Sequence, residues 1–193
     1  MGKVAIVCGS SSDSKLVENV KTTLDKFGIG HEDFVISAHR QPDTCKEFAS
    51  SAKSKGFDLI IAIAGLAAHL PGVVASLTEL PVIGVPADGG PLNGVDALLS
   101  IVQMPGSTPV GTMAIGSHGA KNAAIFAARI LALHDNAVAE KLADYLKRHP
   151  EIEERLARNR ERAFYTTDDP RRFRAFGEKF LGRNIGEVQA ISL

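Results

Sequence analysis

The chain has 193 residues, of which 45% are hydrophobic and 23% charged, a composition typical of one globular domain with room for an appendage. Its 22 basic and 22 acidic side chains give a formal net charge of zero, which argues against nucleic acid or an anionic membrane as a bulk partner. No apolar run approaches the roughly 20 residues that cross a bilayer, and the start MGKVAIVCGS lacks the pattern of a signal peptide.

Short apolar runs predict strands, and the segments between them have the apolar spacing of helices. The strands are predicted at residues 4–9, 31–36, 59–65, 81–86 and 110–116. The helices are predicted at residues 13–28, 41–56, 67–78, 92–103 and 120–134. This alternation predicts an α/β protein in which helices cover both faces of one parallel sheet, a three-layer sandwich in the flavodoxin-like or Rossmann manner. The run LIIAIAG at 59–65 is the most apolar, so we expect its strand at the centre of the sheet.

Residues 148–193 differ from the rest and are predicted to form a helical C-terminal extension to a main domain of residues 1–147. Their charges are dense and mixed in sign, as on a solvated helix. The segment DDPRRFRAFGEKF has Asp followed by Pro where a helix would begin. Within it Phe173, Phe176 and Phe180 recur at helical spacing, so we expect this stripe to contact the main domain or a neighbouring subunit.

The two cysteines, Cys8 and Cys45, lie in a predicted strand and a predicted helix. Two well-separated cysteines fit a reducing compartment better than a disulfide framework, and with no targeting segment recognised we expect a cytoplasmic protein. Both side chains are expected to be buried as small hydrophobic groups rather than to act as nucleophiles.

The first strand exit, CGSSSDS at 8–14, combines small residues with hydroxyl groups. Small residues let the backbone approach a ligand closely, and hydroxyl and N–H groups at the start of a helix suit a phosphate. A serine or aspartate here would also cap the helix without any ligand, so this loop alone leaves both interpretations open. The loop has neither the P-loop nor the G-x-G-x-x-G pattern, which argues against a nucleoside triphosphate or a dinucleotide.

Two further strand exits, SAHRQP at 37–42 and AGLAAHLPG at 64–72, carry histidine and arginine. His39 can exchange a proton near neutral pH, and the planar fork of Arg40 matches phosphate oxygens. Taken alone, the pattern is better explained by His39 as a capping histidine, Arg40 as a surface arginine and His69 as a core histidine. Because ligands of an open parallel sheet bind outside the carboxyl ends of its strands, we expect these groups to meet in one site.

Five segments together resemble the family of N5-carboxyaminoimidazole ribonucleotide mutase, namely GSSSD, SAHRQPD, AGLAAHLPG, GVDALLSIVQMP and PVGTMAIG. The resemblance runs from about Val4 to about His134, in order and with compatible spacing. It implies a flavodoxin-like catalytic domain and a homo-octamer with active sites near subunit interfaces. It also implies an isomerase of de novo purine synthesis, which moves a carboxylate from the exocyclic nitrogen to a ring carbon of an aminoimidazole ribonucleotide. No metal and no organic cofactor are implied.

The resemblance assigns the polar residues of the first two loops to substrate binding. Ser10 and Arg40 match the phosphate-binding positions of the family. Asp13 matches the carboxylate that binds the ribose hydroxyls, and Ser12 lines the same loop.

The same resemblance assigns His39 and His69 to catalysis. Ser37 begins the histidine loop, and His39 matches the proton-transfer histidine. His69, with Gly65 and Leu70 beside it, matches the wall around the base and its carboxylate. A histidine suits this chemistry, because the ring carbon that receives the carboxylate must lose a proton to regain aromaticity.

The chain departs from the family pattern beside the predicted site. Leu66 stands where many bacterial members have a second glycine, which we expect to narrow or reshape the pocket. The segment ADGGPLNG at 87–94 replaces a small apolar stretch and adds Asp88, to which the sequence gives no role. The tail beyond about Lys147 is longer than in most members.

Two other functions stay open. A related class carboxylates the aminoimidazole ribonucleotide directly with carbon dioxide, but it usually has lysine after the histidine and lacks the second-histidine loop. Arg40 and His69 therefore favour the mutase. A non-enzymatic nucleotide-binding or receiver-like module is the other alternative. A receiver would need clustered acidic residues at the first strand exit, where this chain has Asp13 alone.

Overall fold

The computed structural model describes residues 2–147, 164–166, 169–181 and 188–190. The chain divides into two compact units, residues 1–145 and residues 146–193. None of the helices in the described ranges is both long enough and apolar enough to cross a membrane.

The first unit is built around a five-stranded parallel sheet. Its strands are β1 (Lys3–Cys8), β2 (Gly30–Val35), β3 (Leu59–Ala64), β4 (Val82–Pro86) and β5 (Gly111–Thr112). Its helices are α1 (Ser14–Phe27), α2 (Pro42–Ser51), α3 (Leu70–Ala75), α4 (Val95–Val102), α5 (Gly116–Leu131) and α6 (Asn136–Lys147), the last of which ends two residues into the second unit. A short 3-10 turn (Ser11–Asp13) leads into α1.

The strand order is β2-β1-β3-β4-β5, and every neighbouring pair is parallel. This is the flavodoxin-like order, so the structure decides between the two topologies that the alternation of elements leaves open. The predicted central position of the LIIAIAG strand is confirmed, since β3 is the middle strand. The direction of strand addition reverses between β1 and β3, which is where ligands of this fold bind.

Both faces of the sheet are buried, which explains why its inner strands are apolar apart from Lys3 at the start of β1. Residues such as Ile6 and Ile61 pack with α1, α5 and α6, whereas their neighbours Ala5 and Ile60 pack with α2, α3 and α4. Successive side chains of a strand point to opposite faces, so a strand between two helical layers has no position for a polar residue. The predicted three-layer sandwich is confirmed.

Helix α1 follows its sequence pattern closely. Leu16, Val20, Leu24 and Phe27 are all at most 5% exposed, and their spacing places them on one side of the helix. The helix ends at Gly28, whose φ of 67° is left-handed and costs glycine nothing.

Several predicted elements differ from the structure; α2, for example, ends at Ser51 rather than at residue 56. Helix α3 begins at Leu70 rather than at residue 67, because Pro71 is tolerated only in the first turn of a helix. The predicted strand 110–116 is reduced to β5, and α5 already begins at Gly116. A Cβ atom on Gly119 would lie 1.6 Å from the carbonyl oxygen of Ala114, so the chain folds back tightly here instead of extending the strand.

The second unit contains a helix and two short strands among its described residues. Strands β6 (Phe164–Thr166) and β7 (Val188–Ala190) are parallel, and α7 (Pro170–Leu181) lies between them in sequence. The predicted start of this helix is confirmed, with the Arg171 N–H donating to Asp169 Oδ1 at 2.9 Å. The strands are an addition to the expected helical extension. Residues 148–163 of the predicted helical extension and the side chains of Phe176 and Phe180 lie outside what the structure describes.

Candidate active site

A cavity of about 400 Å³ opens at the carboxyl edge of the sheet, beside the point where the strand order reverses. The exits of β1, β2 and β3 all line it, so the structure brings together the three loops in which the sequence places histidine, arginine and hydroxyl groups. This volume is within the range of small-molecule sites.

The β1 exit supplies a polar wall that is held by its own hydrogen bonds. The Ser12 N–H donates to Ser10 Oγ at 3.2 Å, and the Ser12 hydroxyl donates to Asp13 Oδ1 at 3.3 Å. Ser10 is therefore a cap of the 3-10 turn, whereas Asp13 makes no side-chain cap to α1. Burial raises the pKa of Asp13 above its usual range, and the nearby Asp88 carboxylate adds to this rise against the lowering effect of the hydrogen bonds.

The β2 exit is a fixed turn from which His39 projects. Ser37 is only 9% exposed, and its hydroxyl oxygen accepts the Arg40 N–H at 3.3 Å. The Ser37 N–H in turn donates to Gln41 Oε1 at 3.3 Å. The side chain of Ser37 therefore holds the turn, although the residue also lines the cavity.

His39 and His69 are in direct contact. His39 Nε2 lies 2.7 Å from His69 Nδ1, and the two rings are nearly perpendicular, at 85°. One of these nitrogens must donate and the other accept, so the pair holds one proton between the rings. His69 is exposed, occupies the cap position of α3 and makes no capping hydrogen bond, so it is not a core histidine.

Arg40 lies beside the cavity but is not among the residues that line it. Its Nη2 donates to the carbonyl oxygen of Gly9 at 3.4 Å, which holds the exposed guanidinium close to the β1 exit. Two edges of the guanidinium plane can bind an anion, so a single long hydrogen bond leaves most of its donors available for a phosphate.

The β3 exit contributes an apolar wall and the floor. Leu70 is 2% exposed, and its Cδ2 lies 4.0 Å from where a Cβ of Gly9 would stand. Gly65 is close to the next strand, since a Cβ there would be 3.4 Å from that of Ala87. A flat apolar ligand would fit between these small residues.

Comparison with known proteins identifies the family of this chain. The model of the family described as AIR carboxylase matches residues 3–151. The chain belongs to the AIR carboxylase family. The resemblance deduced from the five motifs is therefore confirmed.

Two curated relatives of this AIR carboxylase family member are each named N5-carboxyaminoimidazole ribonucleotide mutase. The protein from Brucella melitensis biotype 1 is 51% identical over 77% of this chain and 91% of its own length. The protein from Thermotoga maritima is 50% identical over 77% of this chain and 85% of its own length. Among solved structures, that of Treponema denticola PurE matches with a TM-score of 0.70 and 26% identity, covering 82% of this chain and all of the other. This match supports the flavodoxin-like fold.

In this AIR carboxylase family member the β4 exit forms a fourth wall, which the sequence analysis did not assign. Ala87, Gly89 and Gly90 line the cavity. The rule that ligands bind at strand exits would have pointed to them, because β4 is the neighbour of β3. Asp88 does not line the cavity. Its side chain lies beside the first residue of α5, with Oδ2 3.0 Å from where a Cβ of Gly116 would stand. A carboxylate is favoured there by the helix dipole.

Leu66, which departs from the family pattern, also lines the cavity. Its φ of 54° is in the left-handed region, which costs a residue with a Cβ about 1–2 kcal/mol. A glycine at this position would adopt the same conformation without that cost.

Both cysteines are free and buried, as predicted. Cys8 lies beside the polar wall, and its thiol donates to the carbonyl oxygen of Ser10 at 3.3 Å. Burial, together with the nearby Asp13 carboxylate, raises the pKa of Cys8 to about 11. Cys8 therefore stays a thiol at neutral pH and is a poor nucleophile.

Proposed function

We propose that this chain is an N5-carboxyaminoimidazole ribonucleotide mutase, an isomerase of de novo purine biosynthesis. It would move the carboxylate from the exocyclic nitrogen to ring carbon C4, giving 4-carboxy-5-aminoimidazole ribonucleotide. The observation that carries this proposal is the contact of His39 with His69 at a cavity that is polar at one end and apolar at the other. The names of the relatives at about half identity support it.

The reaction needs only the movement of carbon dioxide and one proton. The N–C bond of the carbamate breaks, and its electron pair stays on the exocyclic nitrogen. The ring carbon then uses its own electron pair to form a C–C bond to the released carbon dioxide. The proton on that carbon must leave for the ring to regain aromaticity, and the exocyclic nitrogen must gain one. Atoms and electrons balance without an oxidant or a reductant, so the proposed reaction needs no redox cofactor.

The histidine pair is suited to carry this proton. Since one proton already lies between His39 Nε2 and His69 Nδ1, a second can enter on an outer nitrogen of either ring without breaking the contact. The protonated pair gives a proton to the exocyclic nitrogen as the carbamate breaks, and His39 then takes the proton from the ring carbon once the C–C bond has formed, while His69 orients His39 and shares the charge. General acid-base groups of this kind contribute about 10²- to 10⁴-fold to a rate.

The polar wall is suited to hold the ribonucleotide. Arg40 and Ser10 bind the phosphate, with the guanidinium as a charged donor. The Asp13 carboxylate accepts hydrogen bonds from the ribose hydroxyls, with Ser12 and the Ser37 turn around it. Gly65 and Leu70 contact the imidazole ring on the apolar side.

A homo-octamer and a cytoplasmic location are the finer parts of the proposal. Helix α4 and the turn before it expose four large apolar side chains at helical spacing, each 49–58% exposed: Leu92, Val95, Leu99 and Val102. An apolar stripe of this kind on the outer face of a helix favours contact with another copy of the chain. The two free, buried cysteines fit a reducing compartment. Light scattering at several concentrations tests the assembly, and a monomer would contradict it.

One assay tests the reaction. The chain is given N5-carboxyaminoimidazole ribonucleotide without bicarbonate, or aminoimidazole ribonucleotide with dissolved carbon dioxide, and the C4-carboxylated product is followed. We expect fast turnover of the first substrate and little of the second at modest carbon dioxide. Fast carboxylation of the second alone would identify a direct carboxylase. Binding of either ribonucleotide without turnover would identify a non-enzymatic module.

A further inference from the structure

Leu66 has a backbone conformation and a side-chain exposure that are both unfavourable in free energy for a leucine without a function. Its backbone is left-handed, with a φ of 54°, and its apolar side chain is 55% exposed at the cavity. At a turn position where the side chain has no function, we expect glycine or asparagine, which adopt this conformation readily. A core leucine would be buried, and this one is not.

The side chain of Leu66 lies directly on the backbone of the opposite loop. A Cβ on Gly90 would be only 2.5 Å from Leu66 Cδ2, so glycine is the residue that permits this contact. Gly90 itself has a φ of 83°, and the space beside Gly89 is open. Leu66 thus bridges the β3 exit and the β4 exit across the apolar end of the cavity.

The starts of these two loops are already held together by a hydrogen bond. The contact between Leu66 and Gly90 therefore closes only the outer part of the gap between the loops. The Ala87 N–H donates to the carbonyl oxygen of Ala64 at 2.9 Å, continuing the pairing of β3 and β4 past the end of the sheet. With the starts of the loops fixed, a gap between the loops can open only further out, and the Leu66 side chain fills that place. An apolar side chain there excludes water from this end of the cavity. Apart from Leu70 beneath it and the His69 ring, the other residues that line this end are glycine and alanine.

We propose that Leu66 is a positioning residue that closes the apolar end of the cavity over Gly90 and keeps released carbon dioxide in place until the ring carbon captures it. This inference rests on the proposed mutase function. Carbon dioxide has no net charge and no strong hydrogen-bonding group, so protein side chains can retain it by blocking its way out rather than by binding it tightly. The fraction that escapes before C–C bond formation then depends on how well Leu66 seals the contact with Gly90.

The test follows the fate of the carboxylate. Substrate labelled with ¹³C in the carbamate is converted in buffer that contains unlabelled carbon dioxide, and the label in the product is measured with the amount of aminoimidazole ribonucleotide set free. The uncatalysed loss of label is subtracted. Leu66→Gly removes the seal and suits the left-handed backbone, so we expect it to fold with a melting temperature no lower than that of the parent. We expect it to release at least about fivefold more free aminoimidazole ribonucleotide per product, with a matching loss of label.

Two further variants make the result specific. Leu66→Met keeps an apolar side chain of similar volume and should restore label retention. Leu133→Gly removes a leucine that is 76% exposed outside the cavity, and it should retain label as the parent does. If folded Leu66→Gly retains label as well as the parent does, the inference is wrong. A smaller assembly for Leu66→Gly would also overturn it, in favour of a subunit contact. If the parent fails to convert the carbamate at all, it is the proposed function that fails.

Discussion

The two ends of the cavity differ in the polarity of the groups that a ligand would contact. At one end the exits of β1 and β2 present hydroxyl groups and a carboxylate, with the Arg40 guanidinium beside them, and hydrogen bonds hold these groups in place. At the other end the exits of β3 and β4 present glycine, alanine and leucine. The two ends meet where His39 of the first contacts His69 of the second. The titratable pair thus lies at the boundary between a region that binds charge and one that excludes water.

This difference separates binding from reaction. A phosphate and a ribose need charged and polar partners, whose hydrogen bonds do not change as the reaction proceeds. A carbamate that releases carbon dioxide needs an apolar surface and a proton carrier at its edge. Substitutions in the polar end should therefore change affinity, whereas substitutions at the boundary should change turnover.

The largest effect is expected at the boundary. His39→Asn keeps a hydrogen-bonding side chain of similar size but cannot take up the ring-carbon proton. We expect turnover to fall about 10²- to 10⁴-fold, with affinity for the ribonucleotide close to that of the parent. Turnover and binding are measured separately, and His134→Asn, an exposed histidine in the turn after α5, is the control. Turnover near the parent value would remove His39 from the mechanism.

A smaller effect is expected where the polar end meets the phosphate. Arg40→Ala should weaken ribonucleotide binding by about 1.5–3 kcal/mol, or about 10- to 150-fold, because a charge-assisted hydrogen bond is lost. Arg40→Lys keeps the charge without the fork and should weaken binding less. Calorimetry with the ribonucleotide and with its dephosphorylated form measures this. A loss of affinity that is equal for both ligands, or no loss at all, would place the phosphate elsewhere.

The regular part of the molecule could be predicted from the sequence because packing dictates it. A strand such as β3 lies between two helical layers and must be apolar at every position, and α1 must repeat its apolar residues every three or four positions. The strand exits could also be predicted as one edge, since parallel strands end on the same side. The convergence of their histidines followed from the fold and the resemblance together.

The remaining features of the site depend on local geometry that cannot be predicted from residue types. The 2.7 Å contact of His39 with His69 joins residues 30 positions apart, and its distance follows from how two loops fold. The left-handed backbone of Leu66 is a conformation that the residue type argues against. Arg40, predicted with the phosphate binders, lies beside the cavity because its side chain reaches towards Gly9.

Asp13 allows a test of whether a carboxylate placed to bind substrate lowers the stability of the folded protein. Burial raises the pKa of its carboxyl above the ordinary 3.8, so the folded protein holds this proton more tightly than the unfolded chain does. Stability therefore falls as pH rises from about 4 through the raised pKa, and ionised Asp13 is a cost at pH 7.

Asp13→Asn should remove this cost. We expect a slightly higher melting temperature at pH 7, equivalent to less than about 1 kcal/mol because the carboxylate is partly exposed and screened. The difference should shrink as pH approaches 4, and affinity for the ribonucleotide should fall at pH 7. Melting scans at the two pH values, with Ser12→Ala as a control that removes the hydroxyl donor but leaves the charge, make the measurement. A lower melting temperature for Asp13→Asn at pH 7 would contradict the sign.

The smallest effect on activity is expected from the second unit. The residues that line the cavity run from Gly9 to Gly90. Both ends of the cavity should therefore be complete without residues 148–193. Phe173 is 39% exposed, and a phenylalanine at the start of an apolar stripe calls for a neighbour to cover it, which favours a role in the assembly.

Truncation after Arg148 separates a role in assembly from a role in the site. We expect turnover per folded subunit within about twofold of the parent at low temperature, while light scattering shows a smaller assembly or one that dissociates at a lower temperature. Phe173→Ser in the full chain is the matched variant, because it removes one exposed apolar group and leaves the length unchanged. If truncation abolished turnover while the assembly stayed intact, a residue beyond 148 would have to reach the cavity. The division into a polar end and an apolar end would then be incomplete, since a third region would contribute to the site.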